Sequence, residues 1–188
     1  MSPKVYKAFA SILSKFYKDR EKPRSVLEIG ASSKTLLSIA YFDNARKVVL
    51  NSAEFNSISN ELRPCELKVG NSNEMTFFKD SMFDCILSCS VFEHDKYFWK
   101  SLMEINRVIS PGGIFIVGVP IYMKLPTDYK NTTLTYERHG YSYNADFYRF
   151  SEQTVREVIF ESFESYESNL VRRYPNPYFV MSGIKRGK

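Results

Sequence analysis

The sequence is short of the residues that usually announce a metal site or a disulfide framework. It has three cysteines and two histidines in 188 residues. An odd cysteine count, with Cys85 and Cys89 four apart in one apolar run, gives neither zinc-ligand spacing nor a disulfide pattern. These residues are expected to be reduced core thiols in an intracellular, cytoplasmic protein. No run approaches the roughly 18 apolar residues of a membrane span. The first residues, "MSPKVYKAFASILSKFYKDREKPR", carry charge throughout and have no apolar signal-peptide core. Internal repeats, low-complexity tracts and linkers are also missing, so residues 1–188 are expected to form one domain. Glycine is scarce where a nucleotide loop would need it: Gly30 is followed by Ala31, Ser32, Ser33 and Lys34. That excludes the three-glycine dinucleotide loop, and no Gly-Lys-Ser/Thr supplies a phosphate loop.

What is present is an alternation of apolar runs and helical patterns. Residues 1–22 predict an N-terminal helix, with Val5, Phe9, Ile12, Leu13, Phe16 and Tyr17 near one face. "RSVLEIG" predicts a buried strand, and "SSKTLLSIAYF" a helix capped by Ser32 or Ser33. "ARKVVLNSA", "CELKVGN", "FDCILSCS" and "IFIVGVP" predict further strands. "DKYFWKSLMEINRVIS" reads as an amphipathic helix before the last of them, with Phe98, Leu102, Ile105 and Ile109 at helical spacing. "SEQTVREVIFES" predicts a helix capped by Ser151. "FESYESNLVRR" and "PYFVMSGIKR" predict two strands that pair antiparallel and close the sheet edge. The pattern is α/β, a doubly wound, mostly parallel sheet with helices on both faces. Residues 121–150 interrupt it with a polar, tyrosine-rich insertion. A connection this long inside a compact domain points to function.

In such a sheet, ligands sit beyond the carboxyl ends of the strands. Gly30, at the end of the first strand, is therefore the place for close backbone approach. Glu28 beside it argues against a phosphate. Formal net charge is +5. That suits anionic partners, nucleotide-linked sugars or nucleic acid among them, without identifying one. Ordinary solubility charge explains it at least as well.

"VLEIGASS", "MFDCILSCSVFEH" and "EINRVISPGGIFIVGVP", in this order, resemble the motifs of class I S-adenosylmethionine-dependent methyltransferases. The resemblance is strong over residues 24–120. It implies a Rossmann-like seven-stranded sheet with an antiparallel last strand, S-adenosylmethionine as cofactor and S-adenosylhomocysteine as product. It places Glu28, Gly30, Ala31, Asn51, Ser52, Asn71, Ser72 and Ser88 around the cofactor. Tyr6 or Tyr17 of the first helix are further contacts. Two departures stand out. Asn51 occupies the place where an acidic residue usually receives the ribose hydroxyls, with Glu54 as a substitute. Asn71 occupies the place of an Asp facing the adenine amine. An amide oxygen still accepts a hydrogen bond but lacks the charge-assisted strength of a carboxylate. On this reading Asn51→Asp tightens cofactor binding.

Methylation of a hydroxyl needs a base, and "SVFEHDKYFW" offers His94 and Asp95 at the end of the fourth strand. A second candidate is His139 in "YERHGYSYNADFYRF". That stretch resembles a His–DFYRF–Ser signature of methyltransferases associated with sugar and surface-glycan modification. The resemblance implies that Tyr122, Tyr143, Tyr148 and Arg149 contact an acceptor; packing of Phe147 and Phe150 and pairing of Arg149 with a carboxylate is the other reading. Tyrosine suits a sugar ring, but equally a nucleobase or a protein surface. A divalent ion held by Glu93, Asp95 and Asp146 is an option that their spacing does not demand. The expected function is O-methylation of a sugar hydroxyl. The alternatives are methylation of another small molecule or RNA, and a degenerate member that serves as a binding subunit. Nucleic acid is the less favoured acceptor, since no "NPPY"-type motif follows the fourth strand.

Overall fold

The computed structural model describes residues 2–31, 34–54, 58–124, 133–134, 146–172 and 177–187. His139 and Tyr143, the Ser32 and Ser33 caps and most of the 121–150 insertion lie outside the described residues.

Seven strands form one sheet: β1 (Ser25–Ile29), β2 (Arg46–Asn51), β3 (Glu66–Val69), β4 (Phe83–Cys89), β5 (Ile109–Pro120), β6 (Phe163–Val171) and β7 (Tyr178–Lys185). Their order is β3-β2-β1-β4-β5-β7-β6. The first five run parallel, and β7 runs antiparallel between β5 and β6. This is the expected Rossmann-like sheet. A two-residue ladder, Met123–Lys124 with Thr133–Leu134, stands apart from it.

Strand residues alternate faces, so each apolar run feeds two cores. Val26, Val49, Cys85, Leu87, Ile114 and Ile116 face one side, and Leu27, Val48, Ile86, Phe115 and Val117 the other. Burial on both faces explains why these strands read as continuous apolar runs rather than as alternation. Helix α1 (Pro3–Phe16) covers the first core with Val5, Phe9, Ile12, Leu13 and Phe16, the face expected from the sequence. It ends at Phe16, short of residue 22. Helix α2 (Phe98–Val108) covers the second core through Phe98, Ile105 and Val108. Its last carbonyls are met by Lys185 Nζ, which donates to Asn106 O (2.6 Å) and Ile109 O (2.8 Å). Ser151 caps the next helical segment as expected, accepting from Thr154 N (2.9 Å). That segment, Glu152–Thr154, widens into a π turn over Val155–Ile159.

One element differs from its sequence expectation. Over its described residues, 34–42, "SSKTLLSIAYF" is not an α-helix but two 3₁₀ turns, Leu36–Ser38 and Ala40–Phe42. Ile39 between them is extended (φ −66°, ψ 129°), which breaks the ladder. The cap is Thr35, whose hydroxyl accepts from Leu37 N (3.0 Å). Thr35 is itself gripped from outside. Its hydroxyl donates to the Glu28 carboxylate, and its N–H donates to Glu61 (3.2 Å). Leu36 N also donates to Glu28 (3.0 Å). A carboxylate reaching up from β1 thus satisfies donors that a helix start would leave open.

Candidate active site

The carboxyl ends of β1 to β4 enclose a cleft of about 850 Å³. That is ample for a nucleoside-sized ligand. On one side it is lined by Glu28, Gly30, Ala31, Lys34, Asn51, Ser52, Glu54, Asn71 and Ser72, and on the other by Ser90, Val91, His94, Asp95, Lys96, Tyr97 and Phe147.

Gly30 is required by its surroundings. Its φ is +80°, and a Cβ there would stand 2.2 Å from Val91 Cγ2. The β1 turn and the β4 turn are thereby pressed backbone to side chain, which shapes the cleft floor. Glu28 lines the cleft but is only 2% exposed. Burial pushes its carboxyl up to about 7, against the opposing pull of the Thr35 and Leu36 hydrogen bonds.

Asn51 spends its amide on the loop: Nδ2 donates to Ala31 O (2.9 Å). Its Oδ1 is buried at the cleft wall and has no hydrogen-bond partner among the described residues. An orphaned buried acceptor suits a hydroxyl donor brought by a ligand. Asn71 uses Oδ1 to accept from Asn73 N (2.9 Å), an Asx turn that shapes the end of β3. The Ser72 and Ser101 hydroxyls share a hydrogen bond (2.8 Å). Ser88 is fully buried inside β4, between Ile29 and Val117 in register, and does not line the cleft. Tyr17 is buried in the α1 core, and Tyr6 Oη meets Ser38 Oγ (3.5 Å) beside a separate, smaller hollow.

On the opposite wall, Asp95 holds the architecture together. One carboxylate oxygen accepts from Tyr97 N (2.9 Å) at the start of α2. The other accepts from Asn73 Nδ2 and Ser101 Oγ, both at 2.7 Å. The carboxylate therefore ties the β3 turn to α2, leaving little of it for proton transfer.

His94 sits between two carboxylates. Nε2 is 3.8 Å from Glu93 Oε1, and Nδ1 is 3.8 Å from Asp146 Oδ1. Asp146 is held in turn by a two-pronged pair with Arg149, at 2.6 and 2.7 Å. That pair holds the Arg149 guanidinium above its usual range despite partial burial. The segment carrying both residues is bolted to the β4 loop: Phe147 N and Tyr148 N donate to Glu93 O (2.7 and 3.2 Å). It also runs beside the end of β5, with Phe150 N donating to Pro120 O and Tyr122 N to Phe150 O. Tyr148 packs against Phe98 and Phe150, and its hydroxyl donates to Lys96 O (2.8 Å). Tyr122 is half-exposed and outside the cleft lining.

The sequence left several residues unmarked. Ser90, in the left-handed region (φ 58°), shares a 2.8 Å hydrogen bond with Tyr178 at the start of β7. Phe147, which the sequence marked only for packing, lines the cleft with Lys96 and Tyr97. Only the aromatic and basic spelling of "DKYFWK" carried a trace of the last two. Among the described residues, no three His, Cys, Asp or Glu side chains form a group able to hold a metal ion. No helix of the described residues is long and apolar enough to cross a membrane.

Comparison with solved structures agrees with this topology. The Burkholderia thailandensis 1,6-didemethyltoxoflavin-N1-methyltransferase, with its product-type ligand S-adenosylhomocysteine bound, superposes with a TM-score of 0.66 at 17% identity, over 95% of this chain and 76% of that one. A methyltransferase in complex with the Trm112 activator of Haloferax volcanii gives 0.63 at 16% identity, over 98% and 95%. The [4+2]-cyclase SpnF gives 0.65 at 11% identity, over 96% and 81%, so this fold also hosts a cyclase. No curated protein matches the sequence. Residues 27–117 match a family model described as a methyltransferase domain, and the chain as a whole has the Rossmann-like fold of S-adenosylmethionine-dependent methyltransferases.

Proposed function

We propose that the protein is an S-adenosylmethionine-dependent methyltransferase acting on a sugar hydroxyl, with His94 as general base. The observation that carries this reading is His94 itself, on the wall of the cleft that Gly30 and Asn51 also line, between the Glu93 and Asp146 carboxylates.

The cleft residues fit the cofactor. The Gly30 turn gives backbone access, and no phosphate cradle is needed, because the ligand carries no phosphate. Asn51 Oδ1 is an acceptor waiting for a ribose hydroxyl. Asn71 and Ser72 border the space for a base, and the exposed Glu54 brings acidic character for a cationic amino-acid end. Bound S-adenosylmethionine supplies an electrophilic methyl group on a sulfonium. His94 takes the proton of the acceptor hydroxyl as its oxygen becomes the nucleophile. Glu93 and Asp146 stabilise the imidazolium that results. Arg149 keeps Asp146 in place.

His94→Gln tests the reading. Turnover on a responsive acceptor is expected to fall by about 10²–10⁴-fold, with S-adenosylhomocysteine affinity changed little. Turnover equal to the parent's would remove His94 from the role and turn attention to His139.

A second reading is favoured by Glu28 and Asn71, whose side chains are engaged within the chain. In it the cleft has lost its cofactor and the protein acts as a binding subunit. The two readings part on S-adenosylhomocysteine binding.

A further inference from the structure

We propose that the acceptor is carried on a nucleoside diphosphate, read by a basic aromatic rim that leaves the cleft along the start of α2. The inference rests on the sugar-methylating reading and names the form in which the sugar arrives.

The rim begins inside the cleft. Lys96 and Tyr97 line it, immediately after His94 and Asp95. The Lys96 and Lys100 ammonium groups lie 5.4 and 5.3 Å from the centre of the Tyr97 ring. Trp99 meets Tyr97 edge to face at 5.7 Å. All three large side chains face solvent: Tyr97 is 44% exposed, Trp99 46% and Met103 71%. Trp99, Lys100 and Met103 share a face of α2 by helical spacing.

The charges along this rim are unbalanced. Among the described residues, neither lysine forms an ion pair. The nearby carboxylates are already committed: Asp95 to Tyr97 N, Asn73 and Ser101, and Glu104 to Arg107 and Met75 N. Two ammonium groups held beside exposed aromatic rings suit a phosphate linked to a planar base. A neutral glycan would leave the cations unused. The helical part of the rim, from Phe98 to Met103, is about 8 Å long at 1.5 Å per residue, with Lys96 and Tyr97 before it. That matches one nucleoside diphosphate better than a nucleic-acid strand, which needs a longer basic track.

Trp99 is the sole tryptophan, so its fluorescence reports on this rim alone. The experiment titrates the protein, with and without S-adenosylhomocysteine, with uridine, guanosine and thymidine diphosphates. Inorganic pyrophosphate, free monosaccharides and a single-stranded RNA oligonucleotide serve as comparison ligands. At least one diphosphate is expected to change the fluorescence saturably below about 1 mM and more tightly than pyrophosphate. Lys100→Glu is expected to weaken that binding about tenfold or more while leaving the thermal midpoint in place. The proposal falls if no diphosphate saturates by about 5 mM, if Lys100→Glu binds as well as the parent, or if RNA binds more than about tenfold tighter than every diphosphate. Calorimetry with S-adenosylhomocysteine alone reads the methyltransferase proposal separately, so the two can fail independently.

Discussion

The two walls of the cleft are built on opposite principles. On the β1–β3 wall, the polar side chains nearest the strands are turned inward, with Lys34 and Glu54 exposed at its edge. Glu28 clamps the Thr35 turn, Asn51 holds the Ala31 carbonyl, and Asn71 closes its own turn. What that wall offers a ligand is backbone, one orphaned amide oxygen and a glycine pressed onto Val91. On the β4 wall, charged side chains are coupled to one another: buried Glu93 with His94, Asp146 and Arg149, followed by the exposed Lys96 and Lys100. The difference separates holding from reacting. A wall of fixed backbone and neutral amides positions a ligand, while a wall of coupled charges can move protons and read anions.

Substitutions on either wall sharpen or break that comparison. The largest effect on stability is expected at Gly30. Gly30→Ala places a methyl group against Val91 at a positive φ and should cost about 3 kcal/mol in urea unfolding. Adding Val91→Ala should recover the steric share, leaving about 1 kcal/mol of backbone strain. If the double variant recovers nothing, the two turns are not coupled through this contact.

Glu28 gives an effect of similar size that depends on pH. Its folded value of about 7 lies above the ordinary 4.5, because burial disfavours the charge. Below about 4.5 the carboxyl is protonated whether the chain is folded or not. As pH rises towards 7, the unfolded chain ionises first, so this group's contribution to stability is lost across that window. The loss is on the order of 3 kcal/mol and levels off above pH 7. Glu28→Gln keeps an acceptor for Thr35 and Leu36 and should flatten that slope. An unchanged pH profile would mean Glu28 titrates normally.

Asp95→Asn should cost about 2 kcal/mol, since a neutral amide cannot accept from Tyr97, Asn73 and Ser101 together. A purely catalytic Asp95 would instead leave the unfolding midpoint unmoved.

The smallest expected effect is at Asn51. Sequence reasoning alone expects Asn51→Asp to tighten cofactor binding. The structure gives the amide a second task, and an aspartate would set a carboxylate against the Ala31 carbonyl. S-adenosylhomocysteine affinity is therefore expected to fall by about tenfold, near 1.4 kcal/mol. Tighter binding would show that the Ala31 contact is dispensable.

The sheet was legible in the sequence because parallel strands buried on both faces spell uninterrupted apolar runs, as in "KVVL" and "CILSC". Helix α2 was legible for a similar reason: Phe98, Leu102 and Ile105 repeat with the helical period, although Ile109, expected on the same stripe, already belongs to β5. The segment after β1 was not. Leu36, Leu37 and Ile39 mimic a helical stripe, and the cause of the break is a carboxylate seven residues earlier together with another at Glu61. Long-range hydrogen bonds of this kind leave no local pattern. The cleft shows the same division. Gly30, Asn51 and His94 announced themselves by position relative to the strands. The partnership of His94 with Asp146 joins residues 52 apart through the pairing of Phe147 and Tyr148 with Glu93, which no spacing rule reveals. Asp95 was expected as a catalytic residue; it lines the cleft, but its carboxylate is taken up by three hydrogen bonds from residues whose convergence only the fold creates.

The central claim is that a cleft without the usual carboxylates still holds the cofactor by backbone, Asn51 and the Gly30 turn. Calorimetric titration of the protein with S-adenosylhomocysteine tests it most directly. The account predicts saturable one-to-one binding that Gly30→Ala abolishes. No heat of binding at millimolar ligand would contradict it.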